Sequence, residues 1–319
     1  MTVTATIDTL ADAVRAKHTR RIDVERWQEP KHAHLLRSPS AFVDAVMAEL
    51  SDDGTRGDPL PWAKCARDFR LRSHELTVWA GANASAKSTL LSEVMLSLAT
   101  AGKRVVIVSL EMPAYKVAAK LAVQAFANPH PARGRVEAWA ESLGETLCFL
   151  DLTGDIEPAE AVKMARYCAH ELNTQHFLLD NLTKVVSADN EHAEQQRQFM
   201  ARMHRAAIDT GLHVHVVAHT RKPGGHDEDR PPGRYEVAGS RTLVDQPDNV
   251  VMLWRNRPKE RKREKGEIGA LEEGSEPDLL MRVEKQRHGR YEGGIGLWMD
   301  RRTFRFVDRF GGRPAAYWE

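Results

Sequence analysis

At 319 residues, with 42% hydrophobic and 29% charged side chains, the chain suits one sizeable globular domain with an appendage, or two small domains. Its 46 basic and 45 acidic residues leave a formal net charge of +1, which excludes a global positive field, so any contact with a polyanion must come from a local patch or from several subunits together. The three cysteines, Cys65, Cys148 and Cys168, have neither a CxxC spacing nor an even count, which argues against a disulfide or zinc framework.

The N-terminus, "MTVTATIDTLADAV", has no basic stretch followed by an apolar core, and no apolar run approaches the roughly 18 residues of a membrane span. The expectation is a cytoplasmic protein with no membrane partner. Residues 5–17 place Ile7, Leu10 and Val14 at helical spacing. A second helix is expected at 41–50, with Phe42, Val43, Val46, Met47 and Leu50 on one face and Ser40 as its cap. The breakers in "SDDGTRGDPLP" put a boundary near Asp58, so residues 1–57 read as a helical N-terminal arm and 58–319 as the main domain. Such an arm either packs on the main domain or docks on a neighbouring subunit.

From Glu75 the pattern changes to short apolar runs alternating with amphipathic stretches. Strands are expected at "ELTVWAG", "RVVIVSLE", "LCFLDL", "HFLLDN" and "HVHVVAH". Helices are expected between them at "KSTLLSEVMLSLATAG", "PAYKVAAKLAVQAFA", "EPAEAVKMARYCAHELN" and "EHAEQQRQFMARMHRAAIDTG". Near-continuous Val/Ile/Leu runs separated by helices imply strands covered on both faces, hence an α/β fold with a largely parallel sheet. After a long polar loop, further strands are expected at "NVVMLWRN", "DLLMRVEKQ" and "GIGLWMDRRTFRFV".

The stretch "VWAGANASAKSTLLSEV" matches G-x-x-x-x-G-K-[ST] at Gly81, Lys87 and Ser88, with Ala86 at the second glycine. A strand, a Gly-initiated loop, Lys-Ser and a helix form the context in which such a loop cradles phosphates. Backbone N–H groups and the positive helix end face the anion, Lys87 adds a point charge, and the Ser88 hydroxyl suits Mg²⁺. Gly81, Ala82, Asn83, Ala84, Ser85, Ala86, Lys87, Ser88 and Thr89 are the candidate nucleotide-binding residues. A Cβ at position 86 costs about 1 kcal/mol if the backbone there needs a positive φ. Ligands of open α/β sheets gather at the C-terminal strand ends. Three runs end in Glu111, Asp180 and His219, residues suited respectively to orienting water, holding Mg²⁺ with Ser88, and sensing the γ-phosphate.

These residues resemble the RecA-like ATPase domain of ring-forming DnaB-type replicative helicases, in particular the phage and Twinkle-like branch. "LRSHELTVWAGANASAKST" is similar to the family's Walker A segment, and "VIVSLEMPAYKVAAKLAVQA" to the motif carrying its catalytic glutamate, here Glu111. "HFLLDNLTKV" is similar to the Walker B strand with Asp180, and "HVHVVAHTRKP" to the sensor motif with His219. "GSRTLVDQPDNVVMLWRNR" resembles the stretch after the DNA-binding loop. "VEKQRHGRYEG" resembles the segment that offers a basic finger to the neighbour's nucleotide, here Arg287 with Lys285. The resemblance covers about residues 58–310.

It implies a RecA-like P-loop NTPase core, ATP and Mg²⁺ as cofactors, a homo-oligomeric ring of about six subunits, and single-stranded DNA threaded through it. The implied work is ATP-dependent translocation and duplex unwinding in phage-type DNA replication. Two departures stand out: Ala84 and Ala86 replace glycines. The chain also leaves no room for the large N-terminal or primase domain of many members, so a primase or loader would be a separate partner.

The long segment Thr220–Thr242 offers Arg221, Lys222, Arg234 and Arg241 as DNA contacts, or else is a solvated surface loop. The basic run Arg255–Lys265 precedes an acidic one, and the pair reads as self-neutralising. His213, His215 and His219 invite a metal reading, but without carboxylate or thiolate partners on the element they read as packed histidines. Trp298, Phe304 and Phe306 fit either a stacking surface for adenine or core. Besides the motor, a non-unwinding DNA-binding ATPase such as a recombinase or loader, and a nucleotide-binding module with a degenerate loop, remain as alternative functions.

Overall fold

The computed structural model describes residues 35–51, 56–220 and 229–318; the helix expected at 5–17 lies outside them. The chain divides into two compact units, Met1–Asp52 and Asp53–Glu319.

In the first unit a 3-10 turn, Pro39–Phe42, leads into α1, Val43–Leu50. The expected cap at Ser40 is corrected. Pro39, with its fixed φ, starts the turn earlier, so Ser40 lies inside it and its hydroxyl bonds Ser38 Oγ at 2.6 Å. The apolar residues Phe42, Val43, Val46, Met47 and Leu50 are all exposed, and α1 has no buried residue.

The second unit is built on a nine-stranded sheet. Its strands are β3 (Leu76–Gly81), β4 (Val105–Ser109), β5 (Leu147–Leu150), β6 (His176–Asp180), β7 (His213–His219), β8 (Asn249–Arg255), β9 (Leu279–Gln286), β10 (Gly293–Asp300) and β11 (Arg305–Val307). A separate two-stranded ribbon pairs β1 (Asp58–Pro59) with β2 (Arg70–Leu71). The large sheet runs in the order β11-β10-β9-β8-β3-β7-β6-β4-β5; strands β8 through β5 are parallel, and β9, β10 and β11 extend the β8 edge antiparallel. Every residue of β3, β4 and β6 is buried, as expected for parallel strands covered on both faces.

Alternation along β3 divides the core. Trp79 packs with α2 (Lys87–Thr100) and α3 (Ala114–Phe126), and Val78 and Ala80 pack with α5 (Pro158–Glu171) and α6 (Ala193–Thr210) on the other face. Helix α4, Arg133–Ser142, was not legible in the sequence, because it buries only Trp139 and so has little periodic signal. The last expected strand is a hairpin instead. The turn between Asp300 and Arg305 interrupts it, with the Asp300 carboxylate accepting from Arg302 N–H and from the Thr303 hydroxyl.

Between β8 and β9 lie α8 (Arg257–Glu264) and α9 (Ala270–Ser275), after the short α7 (Thr242–Asp245) that precedes β8. The basic and acidic runs pair with each other. Lys262 meets Glu272, Arg263 meets Glu273 and Asp278, and the fully buried Lys259 pairs with Asp278 at 3.1 Å. His213 and His215 are completely buried and stacked 4.4 Å apart. His213 bonds Thr77 and the Arg72 carbonyl; His215 accepts from Trp79 and meets His176, which in turn reaches Asp58. Burial pushes His213 down to about 3, so these rings are neutral fasteners that tie the ribbon to the sheet. No helix among the described residues is long and apolar enough to cross a membrane.

A buried ion pair closes the other side. Arg305 Nε donates to Glu93 of α2 at 2.7 Å, while its Nη1 donates to the carbonyls of Gln124 and Ala315. Removing one partner of such a pair strands a buried charge. Arg305→Met is therefore expected to lower the unfolding free energy by about 3 kcal/mol, measured by urea denaturation.

Candidate functional site

Parallel register brings the C-terminal strand ends to one edge: Gly81 pairs with His219 and Ser109 with Asp180. The loop 82–86 leaves β3 there and turns into α2. Gly81 is required because a Cβ would sit 2.5 Å from the Leu253 carbonyl of the adjacent β8. Ala84 and Ala86 both adopt left-handed backbone, with φ of 55° and 67°. The positive φ that the sequence motif implies is thus present, carried by alanine and not by glycine.

Lys87 is buried, and its ammonium donates to the carbonyls of Gly81 (3.0 Å) and Ala82 (2.8 Å), 3.3 Å from His219 Nδ1. Burial pulls it down to about 8 despite the opposing pull of Asp180 and Glu111. Ser88 Oγ donates to Asp180 Oδ2 at 2.6 Å. Asp180 is buried, which raises its carboxyl above the usual range; the Ser88 bond and the Lys87 and Lys120 charges oppose that shift. His219 is held low by burial and by Lys87. Glu111 lies half-exposed just beyond β4, its Oε1 3.9 Å from His219 Nε2.

Lys87, Ser88, Glu111, Asp180 and His219 therefore converge. Arg287 and Lys285 do not join them. Lys285 pairs in register with Val250 at the start of β8 and donates to the Val244 and Asp245 carbonyls. Arg287 is held by Asp248, which also accepts from the Leu76 N–H at the start of β3. The five steps from Leu76 to Gly81, at about 3.3 Å each, put this pair roughly 16 Å from the loop along the strand.

Arg221 and Lys222 lie outside the described residues. Arg234 and Arg241 both approach the Tyr235 ring, at 5.1 and 5.3 Å, and Arg234 also donates to the Glu284 carbonyl. Their segment is tied to the site by backbone: Thr220 bridges Val237, and Ala238 N–H donates to the His219 carbonyl at 2.8 Å.

Asn181, buried directly after Asp180, escaped the sequence reading. Its amide reaches Glu111 Oε1 at 2.6 Å and His219 Nε2 at 2.8 Å, and Thr183 fixes its oxygen. Its place next to a strand-end aspartate was the available signal. Lys120 of α3, which burial holds low beside Asp180, was also missed. Among the aromatics, Phe306 is buried against Trp62 and Trp298 carries Lys64 over its ring. Phe304 is 40% exposed, and Gln124 donates both to its carbonyl and to that of Thr89, which places it beside the start of α2.

The residues fit a phosphate ligand and its Mg²⁺. The first N–H groups of α2 have no intrahelical partner, Ser85 Oγ is buried in the loop without one, and a hydroxyl and a carboxylate suited to a hard cation already touch. Strain at the two alanines gives a test. Ala84→Gly and Ala86→Gly should each raise stability by roughly 0.5–1 kcal/mol in urea unfolding, since relief of left-handed backbone outweighs the entropy of glycine.

Comparison with known proteins agrees with this architecture. A solved structure described as a separate ATPase domain superimposes with a TM-score of 0.69 at 15% identity, covering 88% of this chain and 99% of that one. A DnaB-like replicative helicase, described with its interactions with primase, gives a TM-score of 0.69 at 15% identity and covers 95% of this chain and 75% of that one. The fold is that of a DnaB-type RecA-like ATPase domain. A family model described as an AAA domain matches residues 43–225, more than half of the length, and the chain belongs to that family.

Proposed function

We propose that the chain is an ATP-driven motor on single-stranded DNA that works as a closed ring of about six subunits and opens duplex DNA during replication. The observation that carries this reading is the division of the site. Phosphate loop, carboxylates and sensor meet at one end of the sheet, while Arg287 and Lys285 lie at the other. A complete site on this reading needs two chains, with the basic finger acting in trans.

Lys87 and the N–H groups of the loop and α2 hold the β- and γ-phosphates, and Ser88 and Asp180 hold Mg²⁺, which supplies charge neutralisation between those phosphates. Glu111, oriented by the Asn181 amide, positions the attacking water and takes its proton. Asn181 also touches His219, so the sensor and the base share one amide. Arg287 and Lys285 of a neighbour stabilise the charge spread over the transferred phosphoryl group. Arg234 and Arg241, with Arg221 and Lys222, contact DNA phosphates, and their backbone tie to His219 supports coupling of DNA to the nucleotide. The exposed apolar face of α1 supports docking of the arm on a neighbouring subunit, and a primase or loader would be a separate chain. One observation favours a second reading, a ring that holds nucleotide and turns it over slowly: both loop alanines sit in strained backbone.

ATP hydrolysis with and without single-stranded DNA, with Lys87→Ala as the blank, separates these. DNA-stimulated turnover above the blank and strand displacement are expected; turnover at the level of the blank that Ala86→Gly restores would establish the second reading. Mixing Lys87→Ala with Arg287→Ala chains should recover activity absent from either alone, to about a quarter of the unmutated ring, because random assembly rebuilds some intact interfaces. The nucleotide should also draw a proton onto Lys87. Its folded value of about 8 is low, and a bound phosphate restores the charge. Affinity is then full below pH 8 and falls by up to about tenfold per unit above it, read by titrating a fluorescent nucleotide from about pH 7 to 9.5.

A further inference from the structure

The end of β8 places two guanidinium groups against the phosphate loop. Arg255 Nη1 and Arg257 Nη2 both donate to the Ala84 carbonyl, at 3.3 and 3.4 Å. Glu260 of α8, whose side chain is only 8% exposed, orients both: it accepts from Arg255 Nε at 2.7 Å and from Arg257 Nη1 at 3.1 Å. Arg301, from the β10–β11 turn, reaches the same carboxylate at 3.1 Å. Three arginines thus share one carboxylate at the rim of the loop, and the surplus positive charge is directed at a backbone oxygen.

The carbonyl they hold belongs to a residue in the wrong conformation for its type. Ala84 has φ of 55°, where a Cβ crowds the backbone. Rotation of Ala84 back to right-handed backbone would swing its carbonyl away from both arginines and close the turn that points the following N–H groups inward. The two charge-assisted bonds therefore oppose the relaxation that alanine's own sterics favour.

We propose that Arg255 and Arg257, oriented by Glu260, are positioning residues that hold Ala84 left-handed and so keep the loop shaped for a nucleotide's phosphates. They do with side chains what glycine does by lacking one. This rests on the reading of the loop as a nucleotide site, and the experiment keeps the two apart.

Binding of a fluorescent ADP analogue to the full chain is measured for the unmutated protein, Arg255→Ala, Arg257→Ala, Glu260→Gln, and each of these combined with Ala84→Gly. The arginine variants are expected to bind roughly five- to tenfold more weakly. Adding Ala84→Gly should restore binding to within about twofold, because glycine needs no clamp. A loss that persists with Ala84→Gly would mean that the guanidiniums touch the nucleotide themselves, and it overturns the proposal, as does unchanged affinity in all three variants. No binding by the unmutated chain would instead remove the nucleotide site, and the clamp with it. Should an arginine variant fail to fold by thermal melting, Glu260→Gln, which keeps both arginines but frees them, must show the same loss and the same rescue.

Discussion

Hydrogen-bond register between β3, β7, β6 and β4 is the constraint from which the rest of the site follows. Gly81 opposite His219 and Ser109 opposite Asp180 bring four chemically different strand ends to one edge, although they are separated by up to 138 positions in sequence. Side chains in a strand alternate with a period of two, so a slip of one residue in any pair would turn a buried Val or Leu outward. Apolar burial on both faces therefore fixes the chemistry at the tip: the same core that stabilises the sheet also sets where Asp180 and His219 stand.

Local conformation at that edge runs against residue preference. Two alanines occupy left-handed backbone within the short loop 82–86. The surrounding structure over-determines the loop: Leu253 leaves no room for a Cβ at Gly81, Lys87 bonds the Gly81 and Ala82 carbonyls from within, and the arginines of β8 and α8 grip Ala84 from outside. Strain of this kind persists only where neighbours hold it, and it clusters at functional sites.

Much of this was legible in the sequence, and the parts that were not have physical reasons. Strands β3, β4, β6 and β7 declare themselves through apolar runs, and the strand-end residues through their place after those runs. Helix α4 was hidden because one buried tryptophan gives no period. The split of β10 from β11 was hidden because a short, mostly polar turn looks like the exposed face of a longer strand. Asn181 and the Arg255–Arg257–Glu260 group were missed for a common reason. Their meaning lies in contacts across 38, 70 or more than 170 positions, which no local pattern encodes. By contrast, the charge balance of residues 255–278 was readable from composition alone, because opposite charges close in sequence readily find each other.

The separation of Arg287 from Gly81 along β3 has a geometric consequence for assembly. Each chain carries a socket at one end of its sheet and a plug at the other. If the two meet across a contact, that contact joins unlike surfaces and repeats head to tail, so it cannot be satisfied within a two-fold dimer of a single patch. An open row of such chains always ends with one empty socket and one idle plug. Only closure removes both, which makes ring formation a matter of counting unsatisfied ends, independent of how strongly any one contact holds.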